Sequence, residues 1–148
     1  MPGDFSETWY DPRWDSLSND IWDAFACAWL AELAGRPPIS LPALPVLFED
    51  EPEEISARAY LVQMNFTASA EAQWKFIISV FMRADDDALC HLAAGPVEHL
   101  LSNHGEEYIG QIESMAEKNS RFTMMLKLCH KHLMSDKIWN RVCAVCNK

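Results

Sequence analysis

Ser18-Asn19-Asp20-Ile21-Trp22-Asp23-Ala24-Phe25-Ala26-Cys27-Ala28-Trp29-Leu30-Ala31-Glu32-Leu33-Ala34-Gly35 is the stretch on which the fold turns. Counting Leu17 before it, the large apolar residues are Leu17, Ile21, Trp22, Phe25, Trp29, Leu30 and Leu33. Steps of three and four residues collect side chains on one face of an α-helix. Ser16 or Ser18 supplies an oxygen to cap its start. Gly35 ends it, and Pro37-Pro38 prevents continuation. The pattern therefore predicts a first helix over residues 16–35.

The same pattern extends downstream after an interruption. Residues 1–15 read as an irregular arm that can pack through Trp9, Tyr10 and Trp14. Residues 36–52 carry five prolines, which no long helix survives, and read as an apolar, Pro-rich extended crossover. The acidic run Glu49, Asp50, Glu51, Glu53 and Glu54 leads into a helix at about 53–66, where a first-turn carboxylate suits the dipole. Ser69 caps the next helix, with Trp74, Ile77, Ile78, Phe81 and Met82 as its apolar face. Asp85-Asp86-Asp87 opens another, carrying Leu89, Leu92 and Ala93. Gly95-Pro96 then breaks or kinks it, with Pro96 suited to a first helical position. Val97, Leu100 and Leu101 continue the face, and Gly105 closes or restarts it. Tyr108, Ile109, Ile112, Met115 and Ala116 mark a further helix. Asn119 or Ser120 caps one with Phe122, Met125, Leu126, Cys129 and Leu133 inward. Ser135 caps a last one with Ile138, Trp139, Val142 and Cys146 inward. No strand pattern is present. The expected architecture is an all-α single domain over 1–148. It is a compact array of about six to seven short antiparallel helices, the array proper occupying 53–147.

Charge narrows the function more than any motif does. The chain of 148 residues has a formal net charge of −10. Residues 1–74 hold thirteen Asp and Glu against three Arg, while residues 75–148 hold nine charges of each sign. The acidity thus belongs to the first half, which repels nucleic acid and acidic lipid and steers a basic partner. No basic-then-apolar leader and no apolar run of membrane-spanning length is visible, and five cysteines suit free thiols in a reducing compartment. These features predict a cytoplasmic protein with no membrane or direct nucleic-acid partner.

The chemistry-bearing residue types offer little. There is no Gly-rich phosphate loop, no nucleophile elbow and no Glu-x-x-His pair. Cys90-His91 and Cys129-His130 are sequence neighbours, which point about 100° apart on a helix and do not face each other. Cys129, His132, Cys143 and Cys146 have the two-pair spacing of a zinc site. Against it, Cys129 and Cys146 fall on apolar helix faces, where cysteine packs as a small hydrophobe. Glu106, Glu113 and Glu117 read as a solvated acidic face. Lys118, Arg121, Lys127, Lys131, Lys137, Arg141 and Lys148 read as a modest positive stripe. No cofactor is expected.

One stretch is distinctive. Ala84-Asp85-Asp86-Asp87-Ala88-Leu89 is followed by Leu92-Ala93-Ala94-Gly95-Pro96-Val97-Glu98-His99-Leu100-Leu101 and by His104-Gly105-Glu106. This pattern resembles an uncharacterised bacterial family of small helical proteins. The resemblance runs on through Ile112-Glu113, Phe122 and Ile138-Trp139 and covers about residues 70–142. Residues 1–50 depart from it. It implies a helical fold and supplies no activity. The Leu-Ala-Ala-Gly-Pro segment itself reads as a helix–helix corner: small residues for close approach, Gly to stop, Pro to restart.

The function expected is that of a non-enzymatic acidic binding protein. Its most concrete form is a bacterial immunity protein that occludes the basic site of a toxin. Asp15, Asp20, Asp23, Glu49, Asp50, Glu51, Glu53 and Glu54 would face the partner, with Trp22, Trp29 or Phe48 as anchors. The alternatives are a regulatory, adaptor or phage-type inhibitor domain imitating nucleic-acid charge, and a small zinc-binding protein using Cys129, His132, Cys143 and Cys146.

Overall fold

Ser18, not Ser16, starts the first helix. In the computed structural model of the chain, which describes residues 10–37, 44 and 56–148, the Ser18 hydroxyl accepts from the Ile21 N–H at 3.3 Å. Helix α1 then runs Asn19–Leu33. Gly35 ends it at φ +80, a left-handed backbone that costs an L-residue about 1–2 kcal/mol. The Arg36 N–H then reaches back to the Ala31 carbonyl at 3.0 Å, the six-to-one bond of a glycine-terminated helix.

Six more α-helices follow among the described residues: α2 Ala57–Thr67, α3 Ala70–Phe81, α4 Asp86–Leu92, α5 Glu98–Lys118, α6 Ser120–Leu126 and α7 Asp136–Cys146. A 3₁₀ turn, Pro12–Ser16, precedes α1, and a π-helical turn, Ala93–Val97, joins α4 to α5. No strand occurs among the described residues, so the fold is all-α, as the periodicity predicts. The chain packs as two compact units, Met1–Arg83 and Ala84–Lys148. Most of the Pro-rich crossover and of the acidic run lies outside the described residues.

The first unit is built on aromatic packing. Trp14, Trp22, Phe25, Trp29 and Phe76 are buried. Phe25 meets Phe76 at 4.6 Å between ring centroids, Trp29 meets Phe76 at 5.7 Å, and Trp14 stacks on Trp22 at 6.0 Å. Each such side chain contributes about 1.5–3 kcal/mol on leaving water. Trp14 pins the N-terminal arm: its indole N–H donates to Thr67 Oγ1 at 2.8 Å, and the Asp11 N–H donates to the Thr67 carbonyl at 2.8 Å.

Helix α2 begins at Ala57, four residues later than the acidic run predicts, and has no acidic residue in its first turn. Ser56 caps it through the Ala59 N–H at 3.2 Å. The carboxylate at its N-terminus comes from α1 instead: Glu32 accepts from the Ala57 N–H at 2.5 Å and the Arg58 N–H at 3.4 Å. A carboxylate on free N–H groups needs only proximity, which a neighbouring helix supplies as well as the local chain does.

The second unit corrects two boundaries. At Gly95-Pro96 the chain does not turn a corner. It continues through the π-turn, where the Glu98 N–H reaches the Ala93 carbonyl. Pro96 lacks the N–H an α-turn needs, and a wider turn absorbs that loss without ending the helix. Gly105 restarts the helix after a break at His104, one of the two readings its position allows. Helix α5 bends at His104 (φ −135, ψ 28) and runs on to Lys118. A Cβ built on Gly105 would lie 2.9 Å from Ile138 Cγ1, so this glycine serves the close approach of α5 to α7. Helix α6 stops at Leu126. Cys129 is buried in the loop beyond it, and Leu133 is 74% exposed rather than inward.

Candidate partner-binding face

Helices α1 and α3 leave a groove between them. Ser18 and Ser69 are the caps that set the register of each helix, Ser69 accepting from the Ala72 N–H at 3.1 Å. That register gives α3 two apolar stripes. Phe76, Ile77 and Val80 enter the core, while Trp74, Ile78 and Met82, four residues apart, line the groove with Asn19, Trp22, Asp23, Lys75, Ser79 and Arg83. Its volume is about 310 Å³. Met82 is 72% exposed, so the expectation that it packs inward is corrected: it lies one turn past the stripe that α1 covers.

Polar groups close one end. The Ser79 hydroxyl donates to Asp23 Oδ1 at 2.7 Å. Arg83 Nη2 lies 3.4 Å from Asp23 Oδ2, and Arg83 Nη1 donates to the Ser79 carbonyl and hydroxyl, each at 3.0 Å. Asp23 is therefore held in place by α3. Asp20, one turn earlier on α1, is exposed. Asp15 accepts from the Tyr10 and Ser69 hydroxyls and ties the arm to the α3 cap. The first unit as a whole has thirteen carboxylates and five Lys and Arg, a net of −8.

The residues expected to meet a partner thus divide. Asp23 lines the groove, Asp20 stands exposed on the same helix, and Asp15 is engaged within the unit. Trp22 and Trp29 are 2% and 4% exposed. They belong to the core and cannot act as exposed anchors, because the stripe that makes α1 amphipathic is the stripe facing α3. The indole N–H of Trp22 is buried and has no hydrogen-bond partner among the described residues. Phe48, Glu49, Asp50, Glu51, Glu53 and Glu54 lie outside the described residues. The apolar groove residues that motif reasoning missed are Trp74, Ile78 and Met82, whose four-residue spacing was the available signal.

The cysteine and histidine residues of the second unit do not assemble a metal site. Among the described residues no three His, Cys, Asp or Glu side chains are placed to hold one ion. Cys129 is in a loop, not on a helix face, and burial pushes its thiol far above the usual range, against the thiolate that zinc requires. Cys143 and Cys146 are partly exposed on α7. Glu106, Glu113 and Glu117 are not a bare acidic face. Lys137 reaches Glu106 at 3.4 Å, Lys148 reaches Glu117 at 2.8 Å, and Arg141 grips Glu113 with two bonds. The positive stripe is spent in part on this ladder. Among the described residues no helix is long and apolar enough to cross a membrane.

A family model, described as a family of unknown function (DUF6869), matches residues 48–148. The chain belongs to the DUF6869 family. No curated protein and no solved structure matches it. The family region contains α2 to α7, including the α3 wall of the groove, whereas the α1 wall lies before it. In the Leu-Ala-Ala-Gly-Pro stretch Leu92, Ala93 and Pro96 are buried, while Ala94 is exposed and Gly95 is half-buried.

Proposed function

We propose that this chain is a non-enzymatic binding protein whose first unit docks a partner with a basic surface. The observation that carries the proposal is a net charge of −8 on the unit that also offers an open groove floored by Trp74, Ile78 and Met82. Apolar contact supplies affinity, and the surrounding negative field supplies steering and selects a basic partner. The most concrete partner is a bacterial toxin with a cationic active site, met in the cytoplasm. Asp15 and Asp23 are both tied to neighbouring side chains, which favours a groove-centred contact over a free row of carboxylates imitating a nucleic-acid backbone.

The test is capture of partners on the tagged chain from its own cells at ~0.05 M and ~0.5 M salt. A double variant, Asp20→Lys with Met82→Glu, is run in parallel; both positions are exposed, so folding is preserved. The proposal expects a basic protein that is retained at low salt, released at high salt and missed by the variant. Relief of growth arrest when the chain is co-expressed with a toxin encoded beside it would identify the partner. Capture that ignores both salt and the variant contradicts the proposal.

A further inference from the structure

The loop over residues 127–135 lies between α6 and α7; Lys131 Nζ is 2.6 Å from Asp136 Oδ1 at the start of α7, and the Met134 N–H donates to the Lys131 carbonyl at 2.9 Å. Cys129 and Met134 are buried, and between them His130, Lys131, His132 and Leu133 are exposed. The His130 N–H donates to Glu98 Oε2 at 2.9 Å, and the Cys129 thiol points to the Ala93 carbonyl at 3.5 Å. Both acceptors belong to the π-turn and the first residue of α5. His132 holds a left-handed backbone at φ 48, which a residue other than glycine adopts at a cost. Its imidazole lies 5.9 Å, centroid to centroid, from that of His99 on α5.

We propose that the His99–His132 pair makes this loop an acid-released latch: protonation of the two imidazoles drives residues 130–133 away from α5. His99 is half-buried on a helix and cannot retreat. His132 is exposed, on a loop, and already strained, so the loop is the part that moves. Two positive charges at this separation repel each other. The other charged and titratable groups bearing on the cluster are Glu98 on α5, Cys129, His130 and Lys131 in the loop, Lys127 after α6, and Asp136, Cys143 and Cys146 on α7. Glu98 and Asp136 oppose release, Glu98 through its bond to the His130 N–H and Asp136 through Lys131; release requires the repulsion between the two imidazoles to exceed both. Burial first, and His132 second, hold His99 below the ordinary histidine range despite Glu98. A lowered histidine stabilises the fold above the unfolded value and ceases to do so as pH falls through the folded value. Release is therefore an acid event, and it uncovers the Cys129 thiol and the π-turn.

Hydrogen-exchange protection of the His130 amide in the full chain reads the latch directly. The amide of Ile112, in the interior of α5, serves as the reference. Between about pH 7.5 and pH 5.5, protection at His130 is expected to fall about tenfold with Ile112 unchanged. His132→Asn keeps a residue tolerant of the left-handed backbone and removes the charge; its His130 protection is expected to stay within about twofold. His99→Gln removes the other member and is expected to behave alike. Unchanged protection in the natural chain, an equal fall in His132→Asn, or a parallel fall at Ile112 would each overturn the proposal.

Discussion

Replacing Gly105 with alanine tests the packing of α5 on α7. The new Cβ would sit 2.9 Å from Ile138 Cγ1 and 3.2 Å from both Cδ1 and Cγ2. Carbon pairs are best placed at about 3.5–4.0 Å, so all three contacts are repulsive. Ile138 cannot swing aside, because it is 2% exposed and branched at Cβ, which restricts χ1. Forcing one methyl into a filled core costs about 1–3 kcal/mol. Alanine for glycine inside a helix returns about 1 kcal/mol, leaving a net loss of up to about 2 kcal/mol. Urea unfolding followed by far-ultraviolet circular dichroism measures it. The same substitution made on Ile138→Ala, where the three crowding carbons are gone, should lose its penalty and show the helix gain alone. The coupling between the two positions should be at least about 1 kcal/mol. A Gly105→Ala variant more stable than the natural chain by the full helix gain, or a cost that persists on Ile138→Ala, would refute the close-approach account of this glycine.

Two further predictions concern other joints. Glu32→Ala removes the carboxylate from the Ala57 and Arg58 N–H groups and should destabilise the chain by about 1–2 kcal/mol in the same unfolding assay. Arg141 holds the Glu113 carboxyl below the usual carboxylate range, its side-chain hydrogen bonds being the main cause. A lowered carboxylate stabilises above its unfolded value and loses that contribution as pH falls through the folded value. Because the pair is partly exposed, Arg141→Gln should cost little at neutral pH. The cost should shrink as pH falls below the ordinary carboxylate range, and carboxyl titration by NMR should return Glu113 to that range.

The helices were legible where pattern and punctuation agreed. Helix α1 has an apolar stripe, a serine before it and a glycine after it, and its structure follows. Ser69, Asp85, Asn119 and Ser135 are caps, as their positions suggest. The failures share a cause: one residue type serves two geometries. Proline after glycine stops most helices, but a π-turn accommodates Pro96, and its hydrogen-bond register leaves no mark in the sequence. A glycine that lets two helices touch is indistinguishable, in the chain, from one that only restarts a helix, so the close approach of α5 to α7 at Gly105 leaves no mark in the sequence. The groove was half legible. Asp20 and Asp23 follow from charge, but Trp22 and Trp29 were assigned to a surface against their own periodicity. The four-residue spacing of Trp74, Ile78 and Met82 marks a second apolar stripe on α3, but nothing local says which of the two stripes is covered.

The central claim is that a partner meets the first unit at the α1–α3 groove. Site-specific photo-crosslinking in the chain's own cells tests it most directly, with the probe at Met82 in the groove or at Asp20 beside it on α1, and at Met124 or Leu133 in the second unit. All four positions are exposed. The account predicts one basic protein crosslinked from positions 20 and 82, its yield falling as salt rises, and none from 124 or 133. Crosslinks from 124 or 133 alone, or none from any position, would contradict it.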